Sequence, residues 1–151
     1  MSSQSNCPLL VVEDSNEDFK MLQRLMRRME VQNPIYRCTS GDDALEFLAD
    51  AQTSGNTPRP SVILLDLNLP GIDGRNVLEQ LKQNQDLKEI PIVIFTTSSN
   101  PQDITFCYRQ GANGYLIKPM DADELKKTVQ AFVEFWLESN TPPSKERPFV
   151  V

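Results

Sequence analysis

The chain of 151 residues carries 15 Lys and Arg against 21 Asp and Glu, a net charge of −6, and it contains no histidine. So acidic a surface disfavours nucleic acid and anionic lipid as partners. The missing imidazole excludes Ser-His-Asp and Cys-His catalysis, histidine-containing zinc sites, and donation of a phosphoryl group from a histidine of its own.

The length corresponds to a single domain spanning residues 1–151, with a core at about 8–138 and a short extension at 139–151. No apolar run approaches the roughly 18 residues of a membrane span. The first residues have neither the basic region nor the apolar stretch of a secretory signal, so a cytoplasmic setting is expected. Cys7, Cys38 and Cys107 lie far apart without C-x-x-C spacing, which suits buried free thiols rather than a disulfide framework or a metal site.

Two periodicities alternate along the chain. Residues 8–12, Pro-Leu-Leu-Val-Val, have the length of a strand. Ser15 then offers an N-cap, with Glu17 and Asp18 in the first turn, and Phe19, Leu22, Leu25, Met26 and Met29 recur at helical spacing. Residues 35–39 predict a second strand. Ser40 to Asp43 open a second helix with Ala44, Leu45 and Leu48 on one face, and residues 52–60 form a loop. Ser61-Val-Ile-Leu-Leu65 has the continuous apolar character of a strand buried on both faces. A turn through Pro70-Gly71 and Asp73-Gly74 leads to a third helix around Val77, Leu78 and Leu81. Residues 90–95 give a fourth strand. Asn100-Pro101 cap and start a fourth helix, which Gly111 ends. Residues 114–117 form a short fifth strand. Asp121 and Glu124 have capping-box spacing for a fifth helix, striped by Leu125, Val129, Phe132, Val133 and Trp136 and ending near Glu138.

Five β-α units in succession predict an α/β fold: a doubly wound five-stranded parallel sheet with helices on both faces. Ligands of such sheets bind outside the carboxyl ends of the strands. The first strand ends in Glu13-Asp14, the third in Asp66, the fourth in Thr96 and the fifth in Lys118. Singly, the acids could be helix caps and the lysine a solvated loop charge. Together they bring three carboxylates, a hydroxyl and an ammonium to one edge. Clustered carboxylates suit a hard divalent cation such as Mg²⁺, which takes oxygen ligands. Lys118 and Thr96 exceed what a metal needs, but they are the donors a phosphoryl group beside Mg²⁺ requires. No Gly-x-x-x-x-Gly-Lys loop supports nucleotide binding.

Four stretches in order resemble the receiver domain of bacterial two-component response regulators: residues 10–14 (Leu-Val-Val-Glu-Asp), 64–74 (Leu-Leu-Asp-Leu-Asn-Leu-Pro-Gly-Ile-Asp-Gly), 90–96 (Ile-Pro-Ile-Val-Ile-Phe-Thr) and 111–119 (Gly-Ala-Asn-Gly-Tyr-Leu-Ile-Lys-Pro). The resemblance implies a flavodoxin-like, CheY-like sheet of strand order 2-1-3-4-5. It implies that Asp66 accepts a phosphoryl group from the phosphohistidine of a partner kinase. Asp14 and Asp66 would hold Mg²⁺ directly, Glu13 through water, and Asn68 through its backbone carbonyl. Thr96 and Lys118 would contact the phosphoryl oxygens, and Tyr115 takes the switch aromatic position. Glu13 stands where many relatives have Asp, while Asn68 and Ser98 occupy positions that influence phosphoryl lifetime. The loop at 52–60 is longer than in minimal receivers, and the Ile-Phe-Thr-Thr-Ser-Ser run at 94–99, the long fifth helix and the C-terminal tail resemble the small Rcp-type regulators of cyanobacterial phytochrome kinases, which would make a phytochrome-type histidine kinase the partner.

Residues 139–151 leave no room for an output domain, so output falls to a surface, a dimer or onward phosphotransfer. Arg24, Arg27 and Arg28 on the first helix form either a solvated face or a kinase-docking patch. Ile104, Tyr108 and Tyr115 predict a homodimer through the fourth helix, fifth strand and fifth helix, onto which Phe149-Val150-Val151 would pack. A cis Lys118–Pro119 bond is expected to aim Lys118 over the site. Two rival readings use the same residues: a Mg²⁺-dependent phosphohydrolase of small molecules, and an interaction module that works without phosphorylation. Asn68, where such a hydrolase has a second acid, counts against the first; the intact set of strand-end residues counts against the second.

Overall fold

The computed structural model describes residues 7–53 and 55–143. Five parallel strands, β1 (Leu9–Val12), β2 (Ile35–Cys38), β3 (Val62–Leu65), β4 (Ile92–Thr96) and β5 (Gly114–Ile117), form one sheet in the order β2-β1-β3-β4-β5. Five helices connect and follow them: α1 (Asn16–Arg28), α2 (Gly41–Thr53), α3 (Gly74–Gln83), α4 (Pro101–Arg109) and α5 (Ala122–Phe132).

Alternation along the strands divides the core in two. Leu10, Val12, Ile63, Leu65, Ile92 and Ile94 point to one face, where α2, α3 and α4 cover them with Leu48, Val77, Leu78 and Cys107. Leu9, Val11, Val62, Leu64, Val93 and Phe95 point to the other, under α1 and α5. Helices cover both faces, which is why β1 and β3 read as unbroken apolar runs. Burying one such Leu stabilises the fold by about 1.5–3 kcal/mol.

The caps are local in origin. Ser15 accepts from the Asp18 amide, Asp73 from Arg75, Asn100 from Gln102 and Asp121 from Glu124. Gly111, at φ 100°, closes α4 in the left-handed conformation that glycine adopts freely.

Several strands differ by a residue at one end from the sequence expectation, and three larger differences have a physical origin. Helix α2 continues to Thr53, whose hydroxyl donates to the Ala49 carbonyl at 2.9 Å and prolongs the last turn. β4 begins at Ile92 rather than residue 90, because Pro91 has no N–H and contributes only its carbonyl, to Ile63. Beyond Phe132 the fifth helix widens into a π-helical segment, Val133–Ser139, that keeps both Val133 and Leu137 buried. The C-terminal residues 149–151, expected to pack against a partner subunit, lie outside the described residues.

Candidate functional site

Strands that stop at the same level bring the predicted residues together. Glu13 and Asp66, at 5% and 7% exposure, are buried acids directly after β1 and β3, while Asp14 faces solvent. Carboxylate oxygens of Glu13, Asp14 and Asp66 lie within 4.8 Å of one another. The backbone holds them there: Asp66 N–H donates to the Val12 carbonyl and Glu13 N–H to Cys38. Arg37 on β2 donates from Nε to the Glu13 carbonyl at 3.0 Å, with its guanidinium over the Phe19 ring. The Ser15 amide donates to Glu13 Oε2, and the Asn68 amide to Asp66 Oδ1 at 3.2 Å. Asn68 itself is exposed at the mouth of the site.

Lys118 enters from β5. Its Nζ contacts Glu13 most closely, Asp18 at 3.1 Å and Asp66 at 3.2 Å. The Lys118–Pro119 peptide is trans, against the expectation of a cis bond; no cis peptide occurs among the described residues. A cis turn is unnecessary because the ladder already reaches residue 118: its N–H donates to the Thr96 carbonyl at 2.7 Å, and the side chain leaves on the site edge. Burial penalises the Lys118 charge, but Glu13, Asp66 and Asp18 more than offset this and raise its pKa above the ordinary lysine value. For Glu13 burial prevails over the lysine contact, so its carboxyl is raised.

Thr96 is fully buried at the end of β4, and its hydroxyl accepts from the Ser98 amide at 3.4 Å. Half-buried Tyr115 donates its hydroxyl to the Ser98 carbonyl at 2.9 Å. Asp18, which the sequence suggests only as a first-turn acid, proves to be a Lys118 partner from the first turn of α1. Arg75, Asp103 and Arg37 were not foreseen at all, because the contacts that tie each to another element, Arg75–Asp103 and Arg37–Glu13, span 28 and 24 residues.

A cavity of about 310 Å³ continues from the acids along α1, between Met21 and Leu25 on one side and Pro119, Met120 and Leu125 on the other. No described helix is long and apolar enough to cross a membrane.

Three carboxylates facing one ammonium leave an excess of negative charge, and every donor is oxygen. That set fits a hard divalent cation. Rcp1, a response regulator from Synechocystis sp., is 42% identical over 95% of this chain and 99% of its own length. The crystal structure of its Mn²⁺-bound form superposes with a TM-score of 0.85, at 41% identity over 91% of this chain and 99% of Rcp1. The phosphorylated cyanobacterial phytochrome response regulator RcpA gives the same TM-score at 35% identity, over 92% of this chain and 99% of RcpA. The bacteriophytochrome response regulator AtBRR gives 0.69 at 31% identity, over 87% of this chain and 95% of its own. The profile of the response regulator receiver domain matches residues 9–130. With the strand order and the strand-end residues, these likenesses make the chain a member of the response regulator receiver family.

Proposed function

We propose that Asp66 is the phosphoryl acceptor of this receiver and that a histidine kinase is its donor. The observation that carries the reading is the buried Asp66 carboxylate beside Glu13 and Asp14 with Lys118 Nζ at 3.2 Å. A carboxylate oxygen attacks phosphorus, the P–N bond of the donor's phosphohistidine breaks, and the bonding electrons leave with the imidazole. The product is an acyl phosphate on Asp66. Lys118 can shift from the carboxylates to the incoming phosphoryl oxygens, and Thr96 offers its hydroxyl from the neighbouring strand. Asp14 and Asp66 would hold Mg²⁺ directly, Glu13 through water and Asn68 through its carbonyl. When bound, the ion neutralises the charge that develops on the transferring group. Hydrolysis of the acyl phosphate by water resets the site; the chain's task is signalling rather than turnover of a free substrate.

Incubation with acetyl phosphate and Mg²⁺ followed by intact-mass measurement tests this. One phosphoryl adduct is expected on the wild type, and none on Asp66→Asn or with excess chelator. Undiminished labelling of Asp66→Asn would overturn the assignment. Rapid consumption of free acyl phosphate without an adduct would favour a phosphohydrolase.

The names of RcpA and AtBRR support a phytochrome-type kinase as the partner. The cavity beside α1 opens from the acceptor and has apolar walls, and exposed Arg24, Arg27 and Arg28 lie farther along that helix. Transfer from a phytochrome kinase that is lost on charge reversal of these arginines would identify the patch as the dock.

A homodimer through α4, β5 and α5 is supported by exposed Tyr108 and Ile117 on that face, with Ile104 half-buried beside them. Sedimentation of Ile104→Glu and Tyr108→Glu at matched concentrations should show a smaller species than the wild type. Unchanged mass for both would remove this face as the interface.

A further inference from the structure

Between the acceptor and Tyr115 runs a continuous polar chain that the phosphoryl chemistry does not use. It begins at Gly74, the first residue of α3. A Cβ there would lie 2.2 Å from the Asp66 carbonyl oxygen and 2.6 Å from Leu67 Cα, and the Gly74 amide donates to the Leu67 carbonyl at 3.0 Å. The start of α3 is therefore seated on the acceptor's own peptide. The next residue, Arg75, reaches across to α4. Its Nε and Nη2 donate to the two oxygens of Asp103, both at 2.8 Å, a bidentate fork, while Nη1 holds Asp73 at 2.9 Å.

Asp103 also accepts from the Ser98 hydroxyl at 2.6 Å. Ser98 is the junction of the network. Its hydroxyl binds Asp103, its amide donates to Thr96, and its carbonyl receives the Tyr115 hydroxyl. Arg75 and Asp103 are 29% and 17% exposed at their side chains, so water competes weakly for the fork.

We infer that Arg75 is a positioning residue for the switch: through Asp103 and Ser98 it holds the loop between β4 and α4 where the Ser98 carbonyl keeps Tyr115 inward. The pair joins the first turn of α3, which is seated on the Asp66 peptide, to the first turn of α4. With the pair intact, the loop beside Thr96 has one position and Tyr115 covers it. Without it, Asp103 no longer anchors the Ser98 hydroxyl to α3, the Ser98 carbonyl is freer to swing, and the Tyr115 hydroxyl loses the fixed acceptor it donates to. The consequence for signalling rests on Asp66 as acceptor: a looser loop lets water reach the acyl phosphate more readily.

The chain has three tyrosines, so 3-fluorotyrosine labelling gives three ¹⁹F lines, and Tyr115→Phe identifies the one of interest. In the unphosphorylated protein, Arg75→Gln and Asp103→Asn should each move the Tyr115 line toward the position of a solvated ring. The line of Tyr36, on β2 at the opposite edge of the sheet, should stay, which also shows that the variants are folded. Arg75→Lys keeps the charge without the fork and should give an intermediate shift. The double variant should shift no further than the larger single change. Aspartyl-phosphate loss should quicken about threefold in Arg75→Gln. A Tyr115 line unmoved by both variants, or shifts that add in the double variant, would overturn the proposal. Unchanged phosphoryl lifetime with a displaced Tyr115 would overturn its signalling half. A wild type that takes up no phosphoryl group would instead overturn the acceptor assignment, and the ¹⁹F lines would still decide the role of Arg75.

Discussion

β3 and β5 are both four-residue parallel strands, and each delivers a charged residue to the site, Asp66 and Lys118. Their surroundings are opposite. β3 lies at the centre of the sheet with every residue buried, whereas β5 is an edge strand of half-buried residues ending in exposed Ile117. The acceptor is thus fixed by neighbours on both sides and both faces. Lys118 and Tyr115 hang from a strand paired only with β4. On the proposed function, the group whose chemistry demands one geometry sits on the buried central strand, and the residues that would respond to it sit on the half-buried edge strand. An edge strand with less buried surface is expected to open more easily, which would let a local charge change alter the surface.

The largest expected effect separates these strands by truncation. Leu65→Ala removes a fully buried side chain next to the acceptor and should cost about 2–5 kcal/mol. Ile117→Ala precedes Lys118 in the same way, but that side chain is 42% exposed and should cost about 1 kcal/mol. Urea denaturation measures both. Equal losses would mean that β5 is held as firmly as β3 and that the contrast is wrong.

The same contrast explains what was legible beforehand. Asp66, Glu13, Asp14, Thr96 and Lys118 were visible because each follows an apolar run, and parallel strands must end at one edge. Tyr115 and Asn68 came with the family resemblance. Asp18 was hidden because a first-turn acid has a sufficient local explanation in the helix dipole. The Arg75–Asp103 pair was hidden because neither residue breaks a pattern: each sits in the first turn of its helix, and only the packing of α3 beside α4 makes them partners. The cis Lys118–Pro119 bond was wrongly expected because the rung between Lys118 N–H and Thr96 is tertiary information, and it aims the lysine without a turn.

A second, smaller effect tests how tightly the rigid side is seated. Gly74→Ala would place a methyl group 2.2 Å from the Asp66 carbonyl oxygen, so backbone must move. A cost of about 1–3 kcal/mol is expected. Because the displaced peptide is the acceptor's own, phosphoryl uptake from acetyl phosphate should slow as well. Normal uptake in a destabilised Gly74→Ala protein would show that α3 and the acceptor loop move independently.

The third prediction concerns pH and the clamp between the two regions. The Arg75 contact, then the Ser98 hydroxyl, hold the Asp103 carboxyl below its ordinary value of 3.8, and Asp103 in turn raises the Arg75 pKa. A depressed carboxyl contributes stability that is present above the unfolded value and is lost as pH falls through the folded one. The wild type should therefore exceed Asp103→Asn by about 1 kcal/mol at neutral pH, the upper end for a partly exposed pair. The advantage should shrink as the pH drops below about 4. An advantage that is flat across that range would mean that the charge on Asp103 contributes nothing.

The smallest expected effect uses the thiols as local probes. Burial pushes Cys38 on β2 and Cys107 on α4 up to about 11, so at neutral pH few thiolates form and both must wait for an opening of the structure. Cys7, which is half-buried before β1, should react first with a disulfide reagent. The two buried thiols then report on different places. Cys38 packs in the core beside β1, whereas Cys107 lies under α4, whose N-terminus is held by Arg75 through Asp103. If the responsive region is the β4–α4–β5 side, phosphorylation of Asp66 should raise labelling of Cys107 a few-fold and leave Cys38 at its basal rate. Arg75→Gln should raise Cys107 labelling without phosphorylation, because the helix has lost the same restraint. Labelling followed by peptide mass mapping gives both rates in one experiment. Parallel acceleration of Cys38 and Cys107 would mean that the whole sheet loosens together. No acceleration at either would confine the response to Tyr115 and its loop, leaving α4 in place.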